Sequence, residues 1–256
     1  MLSGVHIRRS AVSCVAGIDG TPGGWAAVIM DGGRSSIRKI ASLSDLVDSI
    51  RQFDIIAIDV PIGLLDCYQV GGRGCDRLAR RRLGQARGRS VFPAPARCVL
   101  EALNMSPLPV ADKHREACRR SRASAPNGKG ISRQTFNILP KIREADDLLQ
   151  ARPELRPVIR EIHPELCFYE LAGSRPMTYG KASRAGKDER RAALGPAFSD
   201  LDLIERNGGA VGLHVEDILD AAAACWSAGR LAAGLGRSLP EVVPYDTTGL
   251  PMAIWW

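Results

Sequence analysis

The sequence predicts an α/β fold: a mixed five-stranded sheet, its first three strands antiparallel, flanked by helices and carrying a helical, basic insertion. Three observations predict it. Apolar runs at 13–19, 24–30 and 35–41 are separated by the tight-turn signals G-T-P-G-G and D-G-G. The period then changes, with Leu43, Leu46, Val47, Ile50 and Phe53 three or four residues apart, as on one helix face. A near-continuous apolar run at 54–60 (D-I-I-A-I-D-V) follows, as a strand buried on both faces requires.

Each element follows in order. Residues 1–12 read as a flexible lead-in, and 13–256 as one domain with a helical insertion at about 66–150. Strands joined by turns this short form an antiparallel meander. Ser42 stands as N-cap before the first helix, with Asp45 three residues on as a capping-box acid. That helix crosses back and lays the fourth strand parallel to an earlier one. If the neighbour is the first strand, Asp19 and Asp59 end adjacent parallel strands, at the edge where open α/β sheets place their sites. Helices are predicted near 76–87, 96–104, 110–122 and 133–150, the last kinked or broken by Pro140. A fifth strand at 158–162 precedes helices near 164–172, 185–195 and 197–207. A long apolar-faced helix covers about 215–234, and the tail holds strand-like pieces before Trp255-Trp256.

Composition sets the class. An apolar content of 45% sustains a buried core. The formal net charge of +7 suits a polyanionic partner, although many proteins share such an excess. The seven cysteines form no C-x-x-C pair, which argues against a disulfide framework or zinc site and for a reducing, cytoplasmic setting. No run reaches the ~20 apolar residues that cross a bilayer. Arg8-Arg9-Ser10 leads into Gly17-Ile18-Asp19-Gly20 without a cleavage site, and reads as the approach to a strand, not an export signal.

Five acids stand out by location: Asp19 and Asp59 at strand ends, Glu165 just after the fifth strand, and Asp217 and Asp220 on one face of the last long helix. Carboxylates gathered beside a sheet core repel one another and raise each other's pKa. A divalent cation removes that conflict, and oxygen-only ligands select Mg²⁺ or Mn²⁺. Two such ions activate water and stabilise the leaving oxygen in phosphodiester hydrolysis. Each acid also has a plainer role open to it: Asp19 in a turn, Asp59 as a strand-end cap, Asp217 and Glu165 in first helical turns. His163 suits a proton shuttle or a structural hydrogen bond equally.

The basic residues cluster too. Seven arginines, Arg73, Arg80 and Arg89 among them, face only Asp76 across 73–89. Arg forks suit phosphates, but a solvated helical face would look the same. Ser132, Gln134, Lys141 and Lys181 are further polar candidates for substrate binding. Aromatic residues are sparse in this region, with Tyr68 and Phe92 alone.

Several segments resemble a bacterial and archaeal family, domain of unknown function family 429, described as predicted nucleases of the ribonuclease H-like fold. They are G-I-D-G-T-P-G-G-W (17–25), A-I-D-V-P-I-G-L (57–64), R-G-C-D-R-L-A-R (73–80) and R-S-V-F-P-A-P-A-R (89–97). In the same order follow S-R-Q-T-F-N-I-L-P-K-I-R-E-A-D (132–146), E-I-H-P-E-L-C-F (161–168), E-D-I-L-D-A (216–221) and D-T-T-G-L-P-M-A-I (246–254). The resemblance implies five main strands and metal ligation by Asp19, Asp59, Glu165 and Asp217, with Asp220 as the competing choice. Family members commonly carry two adjacent aspartates where this chain has Glu216-Asp217. The expectation is a metal-dependent nuclease acting on DNA or RNA. The alternatives are an actin- or sugar-kinase-like phosphotransferase, suggested by the loop at Gly17–Thr21, and a non-catalytic nucleic-acid binder.

Overall fold

The computed structural model describes residues 14–50, 52–105 and 109–256; the lead-in expected at 1–12 lies outside them. Strands β1 (Cys14–Thr21), β2 (Gly24–Asp31) and β3 (Arg34–Ile40) form the expected meander. Its second turn holds Gly32 and Gly33 at φ 62° and 75°, the paired left-handed conformation of a type I′ hairpin that glycine adopts without strain. Helix α1 (Leu43–Ser49) opens on the Ser42–Asp45 capping box. It returns the chain to β4 (Ile55–Ile58), which pairs in parallel with β1. Strand β5 (Ile159–Glu161) adds in parallel to β4, giving the sheet order β3-β2-β1-β4-β5.

Between β4 and β5 the chain runs through α2 (Gly74–Arg87), two 3₁₀ segments, α3 (Val110–Ala123), α4 (Arg133–Ala151) and a third 3₁₀ turn. The expected helix at 96–104 is a 3₁₀ helix over Arg97–Asn104. Helix α4 continues through Pro140 rather than ending there. Buried Phe136, Leu139, Ile142 and Ala145 tie both halves to the core, and packing overrides the lost hydrogen bond. After β5 come α5 (Pro164–Leu171), α6 (Arg184–Leu194), α7 (Leu201–Ala210) and α8 (Val215–Ala232). The tail forms a two-stranded sheet of β6 (Ser238–Leu239) and β7 (Ile254–Trp255), and a bridge from Trp255 to Ile162 seats it beside β5. Trp256 is buried in the chain's own core.

The period of two along the strands divides the core between the sheet's faces. Cys14, Ala16 and Ile18 of β1, with Ile56 and Ile58 of β4, pack with α1 and α4. Val15 of β1 and Ala57 of β4 pack with α5 and α8. Asp19 shares the parity of Val15 and Gly17, and Asp59 that of Ala57, so both acids belong to the face that α8 covers. Among the described residues, no helix is long and apolar enough to cross a membrane.

Candidate active site

Strand register brings the first two acids together. Ile18 pairs with Ile58, and the Asp59 amide donates to the Ile18 carbonyl at 3.0 Å, so Asp19 and Asp59 leave adjacent strands side by side. Helix α8 lies directly over β1 because Gly17 has no side chain there. A Cβ at that position would sit 1.9 Å from the Cys225 nitrogen and 2.2 Å from the Ala221 carbonyl oxygen. This close approach carries Asp220, 2% exposed, to the strand ends. Asp19, Asp59 and Asp220 line one cavity of about 460 Å³ together with His163, Glu165 and Lys181.

The electrostatics follow from this crowding. Burial, then repulsion from Asp220 and Asp59, holds the Asp19 carboxyl well above its ordinary range. Burial, then Asp220, pushes Asp59 up to about 7 against the pull of the Lys181 ammonium. Lys181, on the loop between α5 and α6, donates to Asp220 at 2.7 Å. Burial works against its charge, yet Asp220, Asp19 and Asp59 keep it raised. Lys141, over the Trp25 ring and bonded to the Gly24 carbonyl, lines the same cavity beside Gly20.

Glu165 is buried, with one oxygen fixed by Arg190 at 2.5 Å. Its Oε2, and Oδ2 of Asp217, are buried and have no hydrogen-bond partner among the described residues. Orphaned carboxylate oxygens of this kind suit a hard divalent ion. Asp217 raises the Asp19 carboxyl but does not line the cavity, so Asp220 is the better placed of the two helix acids. Among the described residues, no three acidic, His or Cys side chains are so gathered that they could hold an ion as they stand. The donor chemistry therefore fits a divalent cation, while the arrangement holds Lys181 on Asp220.

Other sequence-predicted residues take different places. His163 is the N-cap of α5: its Nδ1 accepts from the Glu165 amide at 3.2 Å. Burial lowers its pKa, opposed by a hydrogen bond with the Ser90 backbone. His163 thus holds the start of α5 through Nδ1 while it also lines the cavity. Arg73, expected from the sequence to bind substrate, borders the cavity but spends its guanidinium inward. It is 1% exposed and clamps Asp76 at 2.7 Å, Glu161 at 2.5 Å and the Ile62 and Gly63 carbonyls. Arg80 likewise bonds the Val91 and Gly71 carbonyls. Arg77 and Arg87 bond backbone carbonyls, and Arg82 stacks over Trp256 at 5.0 Å. Arg73, Arg87 and Arg89 of this run line the cavity; Arg87 stands 3.9 Å from Glu165, and Arg89 is exposed. Ser132 caps α4, and Ser132 and Gln134 line a second cavity rather than this one.

Residues that sequence reasoning passed over hold the loop leaving Asp59. The Ile62 amide donates to Glu161 at 2.7 Å and the Leu64 amide to Asp246 at 2.9 Å. Asp246 in turn is fixed by Arg97 at 2.5 Å and by the Thr248 and Leu250 amides. The D-T-T-G turn signal marks Asp246 as a backbone-capping acid, but its partner 182 residues away leaves no local trace.

The sheet order and strand directions, with acids at the carboxyl edge, define an α/β protein of the ribonuclease H-like fold. The family described as "Protein of unknown function (DUF429)" matches residues 17–244, and the chain belongs to it. No curated protein and no solved structure matches the chain.

Proposed function

We propose that the protein hydrolyses nucleic-acid phosphodiester bonds, using Mg²⁺ or Mn²⁺ held by Asp19, Asp59, Glu165 and Asp220, with Asp217 adjoining. The observation that carries this reading is three carboxyls, from β1, the residue after β4, and α8, crowded into one cavity, two of them with raised affinity for protons. The mutual repulsion of ionised carboxylates at such a site is relieved by a divalent cation as well as by a proton. The chemistry such ions supply is activation of a water and neutralisation of charge on the phosphodiester. Asp19 lies on β1 and Asp59 directly follows β4, while Arg190 fixes one oxygen of Glu165 and the Arg87 guanidinium stands 3.9 Å from the other. Lys141 and exposed Arg89 supply positive charge for a phosphate, and the excess of +7 favours approach of a polyanion. Loading requires the acids to draw together and Lys181 to leave Asp220.

The test is a cleavage assay on labelled single-stranded, double-stranded, hybrid and branched substrates with Mg²⁺ or Mn²⁺, alongside EDTA and Asp19→Asn controls. Metal-dependent cutting that the variant lacks is the expected result. No cutting with ATP bound instead would transfer the site to phosphotransfer. Salt-dependent nucleic-acid binding without cutting would leave a binding protein.

A further inference from the structure

A second cavity, of about 230 Å³, is lined on one side by the loop after β4 and on another by the start of α4. Its walls are largely apolar: Leu65, Pro93, Ala94, Ile131 and the rings of Tyr68 and Phe92. Phe92 also lines the carboxylate cavity, so the two spaces meet at its ring. Aromatic residues make up only 5% of the chain, yet two of them face this one small space. Phe92 is 40% exposed, whereas the other four phenylalanines are buried. Its segment is firmly anchored. The Val91 carbonyl accepts from Arg80 at 2.9 Å, and the Ala94 amide donates to Asp76 at 3.0 Å. Arg73 holds that same Asp76 from within. A rigid backbone therefore presents an aromatic ring to solvent between two cavities. Exposed Gln69 and Gln134 add amide donors and acceptors to the second, and exposed Lys129 adds a cation there, as Arg89 does to the first.

We infer that this second cavity is a nucleobase subsite, and hence that the substrate is an unpaired strand. The inference rests on the phosphodiesterase reading for the neighbouring cavity. A flat ring with polar edges matches apolar walls bearing a few amide groups, and base–aromatic stacking is tolerant of sequence. With a phosphate among the carboxylates and Arg89, the adjoining base reaches across Phe92 into the second cavity. A base so placed has left any duplex stack. Gln69 and Gln134 are then the groups that meet its hydrogen-bonding edge.

The experiment is fluorescence anisotropy with a labelled ten-nucleotide single strand and the same strand in a blunt duplex. Each is titrated with the full chain in EDTA and again with Ca²⁺. The expected result is tighter binding of the single strand. Phe92→Ala should weaken it roughly fivefold to a hundredfold, while Phe92→Trp retains it and neither variant shifts the melting temperature. Equal affinity of Phe92→Ala and wild type, preference for the duplex, or no binding by the wild type overturns the inference. The cleavage assay separates the two readings. Loss of binding in Phe92→Ala by a protein that cuts nothing retains the base site and removes the hydrolytic reading. Cutting with Phe92→Ala binding unchanged does the reverse.

Discussion

Gly17→Ala is the perturbation that most directly tests how the site is assembled. The added methyl would lie 1.9 Å from the Cys225 nitrogen, 2.2 Å from the Ala221 oxygen and 2.6 Å from the Ala224 carbonyl carbon. All three are backbone atoms of α8, so no side chain can turn aside. Ordinary contact begins near 3.4 Å, and the helix must recede by about 1.5 Å. Overpacking of this kind costs about 3 kcal/mol, the upper part of its usual range, because a whole helix has to shift. For a chain of this size that corresponds to a fall of roughly 6–12 °C in melting temperature. The same shift carries Asp220 away from Asp19, so affinity for Mn²⁺ falls with it. Gly20→Ala is the control. Its methyl meets only the flexible Cδ and Cε of Lys141, at 2.7 and 2.9 Å, and the melting temperature should scarcely move. Circular dichroism melts and calorimetric Mn²⁺ titration read both effects. A Gly17→Ala protein that melts within 2 °C of wild type and binds Mn²⁺ equally would refute the seating of α8 on a side-chain-free strand.

Three further outcomes are expected. In metal-free protein the raised Asp59 carboxyl keeps its proton up to about pH 7, whereas the unfolded chain releases it near 3.8. The stabilisation this gives is present at low pH and is lost as pH rises through that window, by at most about 1.4 kcal/mol per pH unit. Asp59→Asn should flatten the slope of urea midpoint against pH and abolish Mn²⁺ binding while the fold persists; an unchanged slope removes Asp59 as its source. Lys181→Ala should tighten Mn²⁺ binding several-fold by calorimetry, since it frees Asp220 from the ammonium at 2.7 Å; equal or weaker binding shows that the lysine does not compete with the ion. Arg73→Ala should cost about 3–5 kcal/mol in urea unfolding, because Asp76 and Glu161 remain buried without their shared cation. Arg73→Lys should restore little of it, one ammonium being unable to span two carboxylates and two carbonyls. Wild-type stability with weakened nucleic-acid binding would return Arg73 to the phosphate role.

The sheet was legible in the sequence because its signals are local. Alternation, turn chemistry and a capping box each occupy a few neighbouring residues, and the crossover at α1 then permits few topologies. The pairing of Asp19 with Asp59 followed from that topology. Choosing Asp220 over Asp217 did not, because both lie on one face of α8 and only the seating of that helix on Gly17 decides which reaches the cavity. The arginines were the least legible. A count of charges gives the field of the chain but not the partner of each guanidinium. Arg73 is drawn inward by Glu161, 88 residues away, a contact made only once β5 has joined the sheet. Its neighbours Arg77 and Arg80 then cap the carbonyls of Gly72 and Gly71, left open by the loop Arg73 anchors. Five of the seven arginines in this run thus bond or stack within the fold, three of them on the loop between β4 and α2. The positive charge that lines the cavity with the acids includes Arg89, Lys141 and Lys181, residues isolated in the sequence and convergent only in the fold.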